Sequence, residues 1–171
     1  MNDTVLSELS ARLEAAETRL AIMNLEAEYA RSWDAGDAEA WANVFTPDGV
    51  FDMAGVGQQA RQVYTGHSEL AGFCRDIDAF YKGLHFMHLP RLRLDSDTVY
   101  GRLHFQWIGL FSQGSHFNGQ RHTSGYYDVI YRRFNGEWRI QHRLEKAITG
   151  QINEGYDLYL SPDLPSAPPQ A

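Results

Sequence analysis

The chain is poor in cysteine: Cys74 is the only one among its 171 residues. An intrachain disulfide is therefore excluded, and so is a cysteine-rich zinc pattern. Cys74 reads as a small buried hydrophobe. Long apolar runs are missing too, and nothing approaches the roughly 20 residues that span a bilayer. The opening segment MNDTVLSELSARLEAAE is acidic and amphipathic, without the basic and apolar regions of a signal peptide. Basic charge is scarce: 15 Lys and Arg stand against 22 Asp and Glu, for a net charge of −7, with no long basic run. A nucleic-acid surface needs clustered Lys and Arg, so no such partner is expected. These absences together predict a cytoplasmic protein with neither a membrane nor a nucleic acid as partner.

Apolar residues are plentiful, at 43% of the chain, and the length suits one domain with tails. Nine Tyr, nine Phe and four Trp can line a cavity or fill an ordinary core. Leu6, Leu9, Leu13, Leu20 and Leu25 recur at roughly helical spacing, which predicts a helix over residues 4–33. Its face would carry Ile22, Leu25, Tyr29 and Trp33. The part before residue 18 reads as an extension or a partner-binding helix. Asp34-Ala-Gly-Asp37 breaks the helix, and Asp37 is a good N-cap for a second, short one over 38–45. A turn at Thr46–Gly49 and a short strand at 50–53 follow, then a Gly-containing polar segment and a third helix over 68–82.

From His85 onward the period becomes two. Strands are predicted at 85–95, 98–111, 120–133 and 137–149, with turns at Asp95–Asp97, Ser112–Gly119 and Phe134–Gly136. The tail LSPDLPSAPPQA is Pro-rich and reads as irregular. Helices first and antiparallel strands last give an α+β fold rather than alternating α/β. The expected organisation is a helical extension at 1–17, a domain at 18–152 and a Pro-rich tail at 153–171.

Three stretches carry a resemblance: LEAEYARSWDAGDAEAWANVFTPDGVF, GLHFMHLPRLRLDSDT and SGYYDVIYRRFNGEWRIQHR. In that order and at those separations they resemble the SnoaL-like branch of the nuclear transport factor 2-like superfamily, over residues 15–150. The resemblance implies a cone-shaped α+β barrel with a strongly curved, mostly antiparallel sheet, an apolar cavity, and a homodimer or homotrimer. The superfamily holds scytalone dehydratase, bile-acid 7α-dehydratase, a hexachlorocyclohexane dehydrochlorinase, polyketide cyclases and many non-enzymes. Its dehydratase-like members end the first long helix with a catalytic Asp and begin the strand after the third helix with a His. Asp34 and His85 match those positions. Tyr29 matches a Tyr of the bile-acid enzyme, and Arg143, or with a small shift Lys146, matches a basic residue of the last strand. Trp107 and Tyr127 stand near positions where scytalone dehydratase has Ser and Asn, so its substrate does not carry over.

A neutral imidazole removes a proton well near pH 7. A carboxylate on its other nitrogen fixes the tautomer and stabilises the imidazolium that forms. The expected dyad is His85 as base and Asp34 as its orienter. Tyr29 would donate a hydrogen bond to substrate, and Arg143 would stabilise developing negative charge. Phe51, Phe73, Phe86, Phe105, Trp107 and Tyr127 would supply the walls, with Lys146 as a further contact. The expected activity is a cofactor-independent lyase, a dehydratase or related elimination, on a small apolar cyclic or aromatic substrate. An isomerase or polyketide-type cyclase using the same base, and a non-catalytic binding or assembly module, are the alternatives.

Each residue also has a plainer role. Asp34 suits a helix end, Tyr29 and Trp33 suit a core, and His85 suits a packed, hydrogen-bonded histidine. His88 should lie on the other side of the strand. His85 and His88 with His104 or His122 could suggest a metal site. However, His-x-x-His on an extended segment sends the rings to opposite faces and no carboxylate cluster accompanies them, so no metal is expected. Tyr127 should point inward and Asp128 outward, toward an Arg of a neighbouring strand.

Overall fold

The computed structural model describes residues 2–54, 60–113 and 116–148; of these, the side chains of residue 2 and of residues 111–121 are left out of the description. The order is α1 (Asn2–Asp34), α2 (Ala38–Asn43), β1 (Phe45–Met53), β2 (Gln62–Thr65), α3 (Gly66–Asp78), β3 (Tyr81–Met87), β4 (Arg91–Asp95), β5 (Thr98–Gln113), β6 (His116–Phe134) and β7 (Glu137–Ala147). This is the expected α+β arrangement. The strands form one sheet in the order β2-β1-β7-β6-β5-β3, with β4 also on β5. Among the described residues no helix is long and apolar enough to cross a membrane.

Local chemistry explains the breaks. Gly36, at φ 68°, lets the chain leave α1 where a side chain would meet the Asp78 carboxylate at 2.6 Å. Asp37 then caps α2 by accepting from the Ala40 N–H at 3.1 Å. Asn135 and Gly136 both take positive φ, as a two-residue hairpin between β6 and β7 requires. Pro90, without an N–H, sits between β3 and β4, so the single strand expected at 85–95 is two. β1 begins at Phe45 and runs through the expected Thr46–Gly49 turn, with a register irregularity there. α3 ends at Asp78, short of the expected residue 82, because Tyr81–Met87 pairs with β5. β1 lies parallel to β7, an exception within an otherwise antiparallel sheet. The Pro-rich tail lies outside the described residues.

The inner face of the sheet covers the helices. Val99, Leu103, Phe105 and Trp107 of β5 and Tyr127, Val129 and Tyr131 of β6 point inward and are buried. They meet Ile22, Leu25 and Tyr29 of α1, Trp41 of α2, and Leu70 and Phe73 of α3. A bulge in β7 changes which residues face in. Tyr131 pairs with Ile140 but Ile130 pairs with His142, so Gln141 is an extra residue. Ile140 and Arg143, rather than His142, therefore reach the interior.

Candidate active site

Asp34 is the last residue of α1, and His85 lies in the middle of β3. β3 is the end strand of the sheet path, so alternate N–H groups face away from β5. The His85 backbone N–H donates to Asp34 Oδ2 at 2.8 Å, and His85 Nδ1 meets Asp34 Oδ1 at 2.7 Å. One carboxylate thus holds both the strand and the ring. The side chains are 15% and 4% exposed for Asp34 and His85. An ionised carboxylate only accepts hydrogen bonds, so Nδ1 carries the proton and Nε2 is the bare nitrogen of the neutral ring.

Aromatic rings surround the imidazole: Tyr29 at 5.9 Å, Trp33 at 6.2 Å and Trp107 at 6.5 Å between centroids. Trp107 stands opposite His85 on β5. Its indole fits because Gly83 and Gly109, a register pair, carry no side chain. A Cβ at Gly109 would come within 2.2 Å of the ring and one at Gly83 within 2.7 Å. The Trp107 Nε1–H is buried without an acceptor among the described residues. A narrow cleft runs beside the dyad, between Trp33, Asp34, Tyr81, Gly83 and Trp107 on one side and the end of α3 on the other. Its enclosed volume is about 10 Å³, space for about one water.

The remaining predicted residues divide by strand face. Tyr29 is buried beside the imidazole, and its hydroxyl shares a hydrogen bond with that of Tyr127. Burial pushes both phenols well above the ordinary tyrosine range, so both stay neutral donors. Phe105 stacks on Tyr127 at 4.1 Å, and Phe51 packs deeper, against Trp41 and Phe73. Arg143 is fully buried between the Tyr29 and Tyr127 rings, 3.8 and 4.4 Å from their centroids. Its Nη2 donates to Glu26 at 2.5 Å, and the Tyr131 hydroxyl donates to the same carboxylate at 2.5 Å. Burial opposes the Arg143 charge, but Glu26 together with the Tyr29, Tyr131 and Tyr127 phenols outweighs it and raises the group's proton affinity. The charge of Arg143 is thus already matched inside the protein.

Phe86 and Lys146 are corrections. Phe86 is 52% exposed, because the alternation that turns His85 inward turns its neighbour outward. Lys146 lies over the Tyr126 ring on the outer face. His88 is exposed and is held by its N–H to the His104 carbonyl at 3.0 Å. Asp128 faces outward and takes a bidentate pair from Arg102 of β5 at 2.6 and 2.8 Å, as expected. Cys74 is buried, and burial pushes its thiol up to about 12.

Glu26 was missed in the sequence. Its signal was a carboxylate inside the apolar stripe of a helix, between Leu25 and Tyr29, where an unpaired charge is too costly to keep.

Residues 14–144 match the family described as the SnoaL-like domain. The chain belongs to the SnoaL-like family. Solved structures extend the likeness. An NTF2-like protein with a cystatin-like fold from Novosphingobium aromaticivorans is 25% identical, with TM-score 0.65, covering 86% of this chain and 92% of that one. A type 2 hexachlorocyclohexane dehydrochlorinase, LinA, is 18% identical with TM-score 0.68, covering 81% and 90%. A candidate scytalone dehydratase from N. aromaticivorans is 17% identical with TM-score 0.64, covering 87% and 89%. These last two show a shared fold. No curated protein sequence matches the chain.

Proposed function

We propose that this SnoaL-like protein is a cofactor-independent lyase that removes a proton from a small, apolar, cyclic or aromatic molecule and expels water or another small leaving group. The observation that carries the reading is the double grip of Asp34 on His85. Asp34 holds the ring with Nδ1 protonated, so Nε2 accepts the substrate proton, and the carboxylate stabilises the imidazolium that forms. The electron pair left on carbon expels the leaving group from the neighbouring carbon, and the imidazolium can then protonate that group. Tyr29, neutral and beside the ring, is the donor available to a carbonyl or leaving hydroxyl. Arg143 acts through Tyr29 and Tyr127, between whose rings it lies, because Glu26 already matches its charge. The fold shared with a dehydrochlorinase and a candidate dehydratase supports a small-molecule role.

A second reading, a non-catalytic binding or assembly module, is favoured by the filled interior and the small cleft. An isomerase or cyclase would use the same base. The test is a screen in deuterated water with hydroxylated or halogenated cyclic ketones, phenols and sterols, followed by mass. Loss of a small group, absent in both His85→Ala and Asp34→Asn, supports the lyase. Uptake without loss of a group favours the isomerase. Binding without either, equal in wild type and variants, overturns the catalytic reading.

A further inference from the structure

Among the described residues, nothing covers one face of α1. Leu6, Leu9, Leu13 and Leu20 are 52–63% exposed and Met23 is 37% exposed. With Ala16, also exposed, they fall at spacings of three and four: 6, 9, 13, 16, 20, 23. That is a strict seven-residue repeat over three heptads, with Leu6, Leu13 and Leu20 at a and Leu9, Ala16 and Met23 at d. The face is distinct from the one that holds the domain. Thr18, Ile22, Leu25, Tyr29 and Ser32 are buried on the other side of the same helix. An amphipathic helix built only to pack on its own sheet needs one apolar stripe; α1 has two, about half a turn apart.

The flanking charges say what covers the second stripe. In this register Arg12 and Arg19 take g positions and Glu17 takes an e position. Arg12 and Glu17 are exposed, and neither makes an ion pair with another described residue. In a parallel pair of helices, g of one chain meets e of the next heptad in the other, so Arg12 would face Glu17 of a second copy, twice by symmetry. In an antiparallel pair g meets g, and Arg12 would face Arg19. We propose that two copies of this chain associate through α1 as a parallel, in-register coiled coil along Leu6–Met23, with the two domains carried on the outer sides. The charges select the parallel order, and the position of the domain on the opposite helix face leaves room for it.

The test uses the full chain in sedimentation equilibrium over a concentration series. Leu9→Glu with Leu13→Glu removes the stripe at exposed positions and leaves the packing of the domain untouched, which unchanged thermal unfolding of the domain verifies. Arg12→Glu places like charges across both contacts, as does Glu17→Arg, and each weakens self-association about tenfold. Mixing the Arg12→Glu and Glu17→Arg chains pairs Glu with Glu's opposite at both contacts and restores association. Leu9→Cys, oxidised by glutathione disulfide, yields a cross-linked pair only in the parallel register; Cys74 is buried and does not compete. Loss in the single charge variants and recovery in the mixture support the proposal. A mass unchanged by Leu9→Glu with Leu13→Glu overturns it, as does a wild-type monomer whose stripe is covered by residues 149–171 of its own chain. So does a Leu9→Cys chain that cross-links only to Leu20→Cys.

Discussion

Asp34→Asn is the most informative single change. The native carboxylate accepts two hydrogen bonds, from the His85 backbone N–H and from Nδ1. An asparagine has one acceptor oxygen and one donor amide at the same two places. If its oxygen keeps the backbone N–H, its amide faces Nδ1, which must then accept; the ring proton moves to Nε2, and the base is blocked. If its oxygen keeps Nδ1–H, the amide opposes a backbone donor. Either way one charge-assisted bond is lost and the other weakens, a cost of about 2 kcal/mol. For a chain of this size that lowers Tm by about 4–8 °C. The activity should fall by about 10²- to 10⁴-fold, by analogy with the same substitution in a serine-protease triad. Long-range proton–nitrogen correlation NMR reads the tautomer directly and needs no substrate. The seven histidines are distinguished by comparison with His85→Gln. The wild type should show neutral His85 protonated at Nδ1, and the asparagine variant at Nε2. A wild-type ring protonated at Nε2, or a variant as stable as wild type with an unchanged tautomer, would refute the reasoning.

Glu26→Gln leaves the guanidinium of Arg143 buried without its counter-charge, so urea unfolding should show a loss of about 3–5 kcal/mol. Glu26→Leu combined with Arg143→Met should recover much of that loss, because it removes both charges together. His142 is held below the ordinary histidine value of 6.5, first by burial and then by the nearby Arg61, with Asp52 opposing. Between its folded pKa and 6.5 the unfolded chain binds the extra proton, so its contribution to stability is full above about 6.5 and is lost as pH falls. Urea midpoints measured from pH 7.5 down to 5 should therefore decline more steeply in wild type than in His142→Gln.

Much of the fold could be read from residue spacing, because the signals were local. The Asn135-Gly136 turn and the Asp37 cap each depend on a few adjacent residues, and each stands where it was expected, whereas the change to period two comes at Tyr81, four residues before His85. The Asp34–His85 contact rested on resemblance, since no local rule links residues 51 apart in the chain. What escaped was set by distant partners. β1 extends through Pro47 and Gly49 because it gains β7 as a parallel neighbour. α3 stops early because the next segment is claimed by β5. Phe86 was judged by residue type and Lys146 by resemblance, whereas strand parity decides their face. Glu26 was overlooked because its partners, Arg143 and Tyr131, lie more than 100 residues away.

The extra residue in β7 gives the chain a reading frame of its own. Up to Ile140 the even positions look inward; past Gln141 the odd ones do, and so Arg143 rather than His142 meets Glu26. A regular ladder, with Gln141 opposite Ile130 and no bulge, would shift that frame by one. The imidazole of residue 142 would then stand before the buried carboxylate, and the guanidinium would turn to the surface beside Asp52. A neutral ring would face the carboxylate that now neutralises an arginine. The site's interior charge would become dependent on pH without any substitution of a side chain that touches the interior.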